Sequence, residues 1–419
     1  MEKQMVRRCG YATSDKALRA TVERLREGQR YREDGRFQGT FQVAVRYYFA
    51  PLAANQSLSF HQVEAQHAEL NRCYQASLVK EIPNNSVYDC ASRFADAQIQ
   101  FFPWGKAPGE ALAEADVVRL PLVPSTVNLG QANTLASWIQ AQGYDLGHGA
   151  LHVVFTEPSL PRSHYSQSVK ILGFAVPGSN LAVINFKTVG SPSVPNLTDL
   201  PEFQEANQGH TLVHEAGHCL MLQHPFPDVE IPLRQPCTGP GSEEIQRTHS
   251  TVPDLPLQKR SNLGLKAADL TLAVQGGVAK DNRGKDASRV AVGLSVPYYG
   301  CLTQTQHFLG HTLECPWHYM DYGSDPTMKG FLQSQVDTMR AHLVKHGSVY
   351  GATLGGQTLG RLALRNLQDP AHDHPWIWAI VVGVLFLGGM LWVLWKVRQA
   401  RRQPEKPTRE EQRAQRDSV

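Results

Sequence analysis

The chain has 419 residues, of which 42% are hydrophobic and 19% charged, and its formal net charge is +3 at pH 7. This composition is typical of a globular protein with a sizeable core and excludes an intrinsically disordered chain. The chain lacks the large excess of Lys and Arg over Asp and Glu that is typical of nucleic-acid-binding proteins, so we expect no nucleic-acid partner.

Segments rich in β-branched and aromatic residues predict strands in the first half of the chain. The first 40 residues, which are rich in charge, are expected to form a helical pro-like or packing arm, to which we assign no chemistry. Apolar residues then recur at steps of three and four from Phe60 to Tyr74, which predicts a helix over residues 58–78 that packs on the sheet. A second helix is predicted at residues 129–143, where Gly143 ends it. The predicted strands are residues 41–49, 97–102, 151–155 and 181–186.

Four histidines and one glutamate lie in the stretch HTLVHEAGHCLMLQHPF, on a helix predicted from about residue 203 to residue 221. His214 and His218 are four residues apart and therefore lie on one helical face, where both can bind one metal ion. Glu215 follows directly, so its carboxylate projects beside the ion, in the position of a general base. His224 can join them only if the chain turns near Met221. Three protein ligands with one open position are typical of a catalytic zinc site.

The other side chains of this stretch have simpler interpretations. We interpret His210 as a core histidine, and Cys219, which faces away from the two helical ligands, as a small buried hydrophobe.

Two alternatives for the metal site remain open. In one, Glu243 or Glu244 replaces the third histidine, as in gluzincin-type hydrolases. In the other, zinc only stabilises a non-catalytic adhesion or binding domain.

The segment HEAGHCLMLQH resembles the zinc signature H-E-x-x-H-x-x-G-x-x-H of the metzincin metallopeptidases. Further along, CPWHYMDYGSDPTMKGFLQSQVDTMR, residues 315–340, resembles the Met-turn and following helix of the pappalysin family, which includes ulilysin. The helix after the Met-turn is predicted at residues 331–346. The resemblance implies one catalytic Zn²⁺ that is bound by His214, His218 and His224. It implies that Glu215 is the general base and proton shuttle, that Met320 forms a hydrophobic floor beneath the metal, and that Tyr322 donates a hydrogen bond to the oxyanion.

The resemblance also implies the fold class, which is α+β. A metzincin-like catalytic domain is expected over residues 41–350, with a twisted, mostly parallel sheet that carries the zinc helix and a smaller C-terminal lobe that carries the Met-turn. The substrate, a protein or peptide, would lie in the cleft between the two lobes. Calcium sites occur in the family, but no cluster of oxygen ligands in this sequence is definite enough to assign a Ca²⁺ ion.

Three features depart from the family pattern. Met221 stands where the metzincin signature has Gly, and a non-Gly residue in that left-handed turn costs about 1–2 kcal/mol. Thr327 stands where many family members have Cys, so we expect no disulfide near the Met-turn, with Cys315 free or paired elsewhere. The segment from about residue 228 to residue 300 is rich in Gly, Pro and charged residues and is expected to form a surface insertion.

The stretch WIWAIVVGVLFLGGMLWVLW, residues 376–395, has no charged residue and has tryptophans at both ends. Such a length spans about 30 Å as a helix, so it predicts one transmembrane helix that follows a juxtamembrane linker at residues 351–375. The basic tail, residues 396–419, has eight Lys or Arg against four Asp or Glu. This excess predicts a cytosolic C-terminus and a catalytic domain on the other side of the membrane.

The sequence therefore predicts a single-pass, membrane-anchored zinc endopeptidase, with the lipid bilayer as a partner through residues 376–395. The first residues, MEKQMVRRCGYATSD, lack the apolar core of a signal peptide, which leaves the orientation open. Either the start is misassigned or a targeting segment is missing, or the tail anchors an enzyme that faces the cytosol. We favour the misassigned start.

Overall fold

The computed structural model describes fifteen parts of the chain, all within one compact unit, Met1–Leu362. They are residues 6–9, 14–50, 58–75, 78–81, 91–120, 126–128, 132–144, 146, 149–159, 170–195, 203, 206–226, 247–248, 250–255 and 317–359. None of the helices in these parts is long and apolar enough to cross a bilayer. The transmembrane helix predicted at residues 376–395 lies outside the described residues, as do the basic tail and most of the predicted insertion.

Five α-helices and twelve strands make up the regular structure of the described residues. The helices are α1 (Asp15–Glu33), α2 (Phe60–Tyr74), α3 (Ala132–Ala141), α4 (His210–Cys219) and α5 (Gln333–His346). The strands are β1 (Val6–Cys9), β2 (Phe41–Phe49), β3 (Phe94–Ala95), β4 (Ile99–Pro103), β5 (Val117–Arg119), β6 (Thr126–Asn128), β7 (Leu151–Ser159), β8 (Lys170–Ala175), β9 (Leu181–Asn185), β10 (Phe331–Leu332), β11 (Thr353–Leu354) and β12 (Gln357–Thr358).

Ten of these strands form one sheet, in which the longest path runs β1-β8-β9-β7-β2-β11-β12. Strand β2 is parallel to β4, β5 and β7, and β7 is parallel to β6 and β9. Strand β8 runs antiparallel to β9, while β1 adds to β8 in the parallel direction. The hairpin β11–β12 pairs antiparallel with β2. The prediction of a mostly parallel sheet is therefore confirmed.

The two faces of the sheet are covered by different helices. Leu135 and Ile139 of α3 pack on one face in a core cluster that includes Tyr48, Val154 and Phe174. Side chains alternate along a strand, so Gly173, the residue before Phe174 in β8, faces the opposite side. Helix α4 packs there against β8 and β9, and α2 packs against α4. The histidine-rich helix thus lies on a rigid sheet, opposite α3.

The ends of two helices differ from the sequence-based prediction, for local reasons. Helix α2 begins after Ser59, whose side chain accepts a hydrogen bond from the Gln62 N–H, and Gln62 returns a bond to the Ser59 backbone. It ends at Tyr74, earlier than predicted. Helix α4 begins at His210 and not near residue 203, because Gly209 has the left-handed φ of +90°. It ends before Met221, whose φ of +79° cannot continue a helix.

The N-terminal segment packs on the rest of this unit. Helix α1 starts at Ser14, whose side chain accepts a hydrogen bond from Ala17 N–H, and it packs along α5. The two helices approach so closely at Gly28 that an added Cβ would lie 2.0 Å from the carbonyl oxygen of Asp337. Arg32 also forms a 3.0 Å ion pair with Asp337. The charged arm thus contributes a structural helix.

Candidate metal centre

The N-terminus of α4 is capped by a residue far away in the sequence. Gly209 precedes the helix and has no side chain to cap it. Oδ2 of Asp325 accepts hydrogen bonds from the backbone N–H groups of Gln208, at 2.8 Å, and His210, at 3.3 Å. A carboxylate here satisfies N–H groups that a helix start leaves without partners and is stabilised by the helix dipole. The segment after the Met-turn therefore determines where α4 begins.

Three imidazole rings converge at the other end of α4. Nε2 of His224 lies 3.2 Å from Nε2 of His214 and 3.1 Å from Nε2 of His218. All three side chains are fully buried. A tetrahedral zinc ion with Zn–N distances of about 2.0–2.1 Å holds its ligand nitrogens about 3.3 Å apart. The nitrogens therefore have nearly the separations that a zinc site requires, and the structure brings the three predicted ligands together.

The second ring nitrogen of each helical histidine determines its tautomer. Nδ1 of His214 is 2.7 Å from the carbonyl oxygen of Tyr319, and Nδ1 of His218 is 2.8 Å from that of Leu222. A carbonyl oxygen can only accept, so in the neutral rings both Nδ1 atoms carry the proton and both Nε2 atoms present lone pairs. Such hydrogen bonds are typical of metal-binding histidines. Converging lone pairs repel one another, so this donor set fits a cation.

The chain reverses at Met221, as the spacing of the histidines predicts. The Met221 N–H donates to the carbonyl of His218, at 2.9 Å, and its φ of +79° lies in the left-handed region. The backbone at Met221 thus has a left-handed conformation of the kind that glycine adopts without strain. The Met221 sulfur lies against Gly178, where an added Cβ would be 3.0 Å from it. This reversal, residues 220–224, brings His224 back to the end of α4.

Met320 and Tyr322 lie beside the three histidines. A Cβ added at Gly217 would be 2.7 Å from the Met320 sulfur, so the methionine packs directly beneath α4. The Tyr322 ring centroid is 5.0 Å from that of His224. On another side Phe226 stacks on His224 with centroids 5.0 Å apart and ring planes 6° apart. Tyr322 and Phe226 therefore pack around the His224 ring, while Met320 packs against α4.

Glu215 is fully buried between α4 and the sheet. A Cβ added at Gly173 of β8 would be 2.9 Å from Glu215 Cγ, so this strand must have glycine where the carboxylate side chain passes. The Glu215 side chain thus packs directly against β8. Cys219 is buried and free, as predicted. Burial raises the pKa of its thiol, so it stays protonated.

A second cluster of potential ligands lies at the other end of α4, where Oε1 of Glu69 is 2.8 Å from Nε2 of His210. Arg72 bonds both carboxylate oxygens, at 2.6 and 2.7 Å, and the Cys73 thiol donates to Oε1 at 3.3 Å. Desolvation raises the Glu69 pKa, but the hydrogen bonds from His210 and Arg72 outweigh it and lower the pKa to about 2. The guanidinium already balances the carboxylate charge. The cluster is therefore a buried ion-pair network, and His210 is a core histidine as predicted.

The C-terminus of α4 is also held from a distance. The Tyr350 hydroxyl donates to the carbonyl of Cys219, at 2.6 Å, and lies 3.0 Å from Nε2 of His342. Desolvation lowers the pKa of His342 to about 3, with nearby positive charges adding to the effect. The ring is therefore neutral, and its Nε2–H donates to the tyrosine oxygen. Both ends of α4 are thus completed by the segment that follows the Met-turn.

Sequence reasoning identified the side chains of this site but missed the groups that hold them. The acceptor for His214 is a backbone carbonyl, which leaves no signal in a sequence. Asp325 belongs to the motif after the Met-turn, but its contact with α4 follows from the fold alone. Glu243 and Glu244, the alternative third ligands, lie outside the described residues, as does Cys315.

The fold resembles that of mirolysin in three solved structures, while comparisons with family models and with curated proteins found no match. A promirolysin mutant from Tannerella forsythia is 16% identical, with 82% of this chain and 95% of that chain covered and a TM-score of 0.50. Mirolysin in complex with compound 9 gives 18% identity, 75% and 95% coverage and a TM-score of 0.46. Mature Tannerella forsythia mirolysin in complex with a cleaved peptide is 17% identical, with 78% of this chain and 96% of that chain covered and a TM-score of 0.47. The chain thus shares a fold with promirolysin at low sequence identity.

Proposed function

We propose that this protein is a metzincin-type zinc endopeptidase that hydrolyses peptide bonds in proteins or peptides. The observation that carries the proposal is the convergence of three buried imidazole nitrogens, two with their lone pairs fixed by carbonyl acceptors, next to a buried glutamate. The promirolysin-like fold and the metzincin-like motif support the same conclusion. His214, His218 and His224 are the proposed zinc ligands.

The chain's own residues then have distinct roles in the reaction. When bound, zinc supplies a Lewis acid and lowers the pKa of a water ligand toward about 7. Glu215 takes a proton from the attacking water and returns it to the nitrogen of the leaving amine, so that the peptide bond breaks with no net change in the enzyme. The Tyr322 hydroxyl donates to the oxyanion that develops on the substrate carbonyl. Met320 excludes water from beneath the histidines.

The alternatives have less support from the geometry. A glutamate as third ligand would leave Nε2 of His224, which lies within 3.2 Å of both helical nitrogens, without a role. A structural zinc site usually fills its fourth position with another protein ligand. Among the described residues, the cluster that can hold a metal at this end of α4 consists of the three histidines. An open fourth position is what catalysis requires.

We also propose that residues 376–395 anchor the enzyme in a membrane, with the basic tail in the cytosol. The support is the charge-free apolar stretch and the excess of Lys and Arg that follows it. Extraction of cell membranes at alkaline pH, which releases peripheral proteins, should leave the chain in the pellet. Release into the supernatant would contradict the anchor without affecting the proposed chemistry.

The test of the proposed activity measures zinc content beside cleavage of a denatured protein mixture. The wild type should hold about one zinc and cut. Glu215→Ala should keep the metal and lose activity by about a hundredfold or more, because the general base is gone. His224→Ala should lose zinc affinity, whereas the control His61→Ala, at an exposed histidine, should behave as the wild type. Equal zinc content in all variants with no cleavage in any would overturn the enzyme and favour a structural metal.

A further inference from the structure

We propose that Thr21 of the N-terminal helix is a positioning residue for the third ligand, His224. It acts by holding the 220–224 reversal from outside the site. The proposal rests on the proposed function, since it concerns the ligand set of the same metal, but it assigns a role to a helix that has no part in the chemistry.

Thr21 is buried, and its hydroxyl lies between two groups of the reversal. Its Oγ1 is 3.0 Å from the carbonyl oxygen of Met221 and 3.1 Å from Nε2 of Gln223. The amide N–H of Gln223 donates to the hydroxyl. The hydroxyl proton has one alternative acceptor, the Ala17 carbonyl of its own helix, also at 3.0 Å. A threonine hydroxyl can thus accept from the Gln223 side chain and donate to the Met221 carbonyl, both of which precede His224.

The backbone at Met221 needs such support. A non-Gly residue in the left-handed region is strained and persists only where its surroundings impose that conformation. The Met221 N–H is held by His218, its sulfur lies against Gly178, and its carbonyl is held by Thr21. The two contacts of Thr21 lie one residue and three residues before His224. They therefore fix the direction in which the chain delivers the imidazole.

Helix α1 is rigid enough for this role. Thr21 lies on its buried face with Leu18, Leu25 and Gly28, and this face packs on α5. The close approach at Gly28 places the backbone of α1 directly against that of α5. The hydroxyl is thus placed by helix packing and not by the reversal it contacts.

The experiment compares the rates at which zinc leaves full-length variants after a colorimetric chelator is added in excess. Thr21→Val keeps the shape of the side chain and removes the hydroxyl, and it should release zinc about five- to tenfold faster, the effect of one net hydrogen bond. Thr21→Ser keeps the hydroxyl and should stay within about twofold of the wild type. Thr338→Val removes a buried hydroxyl that bonds only within α5, at Ser334, so it should lower stability without changing the release rate.

A second variant tests the link to the strained turn. Met221→Gly adopts the left-handed backbone without support. Thr21→Val should therefore accelerate zinc release much less, by under about twofold, in a Met221→Gly background. If Thr21→Val alone does not fold, Gln223→Met removes the other partner of the hydroxyl and should speed release about threefold.

The outcomes separate this inference from the proposed function. A wild type that binds zinc, with Thr21→Val and Gln223→Met releasing it at the wild-type rate, would overturn the role of Thr21 and leave the peptidase proposal intact. A wild type that binds no zinc would overturn both. Equal acceleration by Thr21→Val with Met or Gly at position 221 would show a general packing effect and would also overturn the inference.

Discussion

The ring nitrogens of His214 and His218 show what a single residue contributes to this site. Each ring uses Nδ1 to bond a carbonyl, and its Nε2 is left as a ligand of fixed direction. His224 is oriented differently, by the flat contact with Phe226. Backbone carbonyls and one aromatic ring therefore orient the three imidazoles, whereas the spacing of side chains in the sequence indicates only which residues are the proposed ligands.

At this scale we predict the effect of removing the tyrosine hydroxyl that holds the last carbonyls of α4. Tyr350→Phe leaves Cys219 without its 2.6 Å donor and should lower the free energy of unfolding by about 1–2 kcal/mol. Urea unfolding followed by circular dichroism measures it. Tyr144→Phe, at a half-buried tyrosine on α3's side of the sheet, is the control and should change the free energy by less than about 0.5 kcal/mol. Equal effects of both substitutions would show that the hydroxyl has no special role.

Helix α4 shows why elements were predicted more accurately in kind than in extent. Hydrophobic and β-branched residues predicted β2 at residues 41–49, as the structure has it. The helix was predicted from the apolar pattern to begin near residue 203, but Gly209 and the distant Asp325 determine its start. Its end follows from the left-handed Met221. A cap that comes from more than a hundred residues away cannot be recognised from local sequence.

The packing of α1 on α5 gives a prediction at the scale of elements. Gly→Ala inside a helix ordinarily stabilises by about 1 kcal/mol. Gly28→Ala should do the opposite and destabilise by about 2 kcal/mol or more, because its Cβ would lie 2.0 Å from the Asp337 carbonyl. Thermal unfolding of the variant and the wild type shows whether the substitution lowers or raises stability. Arg26→Ala, on the exposed face of α1, should be nearly neutral, and a stabilising Gly28→Ala would mean that the two helices do not touch at this point.

The whole molecule carries several neutral histidines in its core. Desolvation lowers the pKa of His67 to about 4, of His318 to about 4 and of His342 to about 3. Their pKa in the unfolded chain is near 6.5. The unfolded state thus binds protons first as the pH falls. The contribution of these neutral histidines to the free energy of unfolding is fully present above about pH 6.5. It is lost progressively as the pH falls toward their pKa values in the folded state.

We therefore predict that the metal-free protein loses stability as the pH falls from about 6.5 to 4. His342→Gln retains a donor for Tyr350 but removes one of the titrating groups. Its free energy of unfolding should depend on pH less steeply in this range, by up to about one proton per molecule. Measuring the protein without metal removes the separate effect of ligand protonation on zinc binding. An unchanged slope would show that His342 binds its proton equally well in the folded and unfolded states.

At the same scale, the resemblance to the metzincins implied the largely parallel sheet, and the spacing of the histidines, which is a local property, predicted their cluster. The sequence predicted a helical or packing arm for the charged N-terminal segment but not the buried face of α1, since the polar residues of that segment gave no sign of one. Leu18, Thr21, Leu25 and Gly28 form that face. Glycine and threonine carry little hydrophobic signal, and their close packing on α5 is recognisable only in three dimensions.

The dependence of α4 on distant caps has a consequence for biosynthesis. Asp325 lies 115 residues after His210, and Tyr350 lies 131 residues after Cys219. At about 5–20 residues per second, a ribosome needs roughly 6–25 seconds to add such a stretch. During that interval the nascent chain exposes its histidines and glutamate without the groups that order them. The proposed zinc site can therefore be ordered as described only after the chain has been synthesised past residue 350.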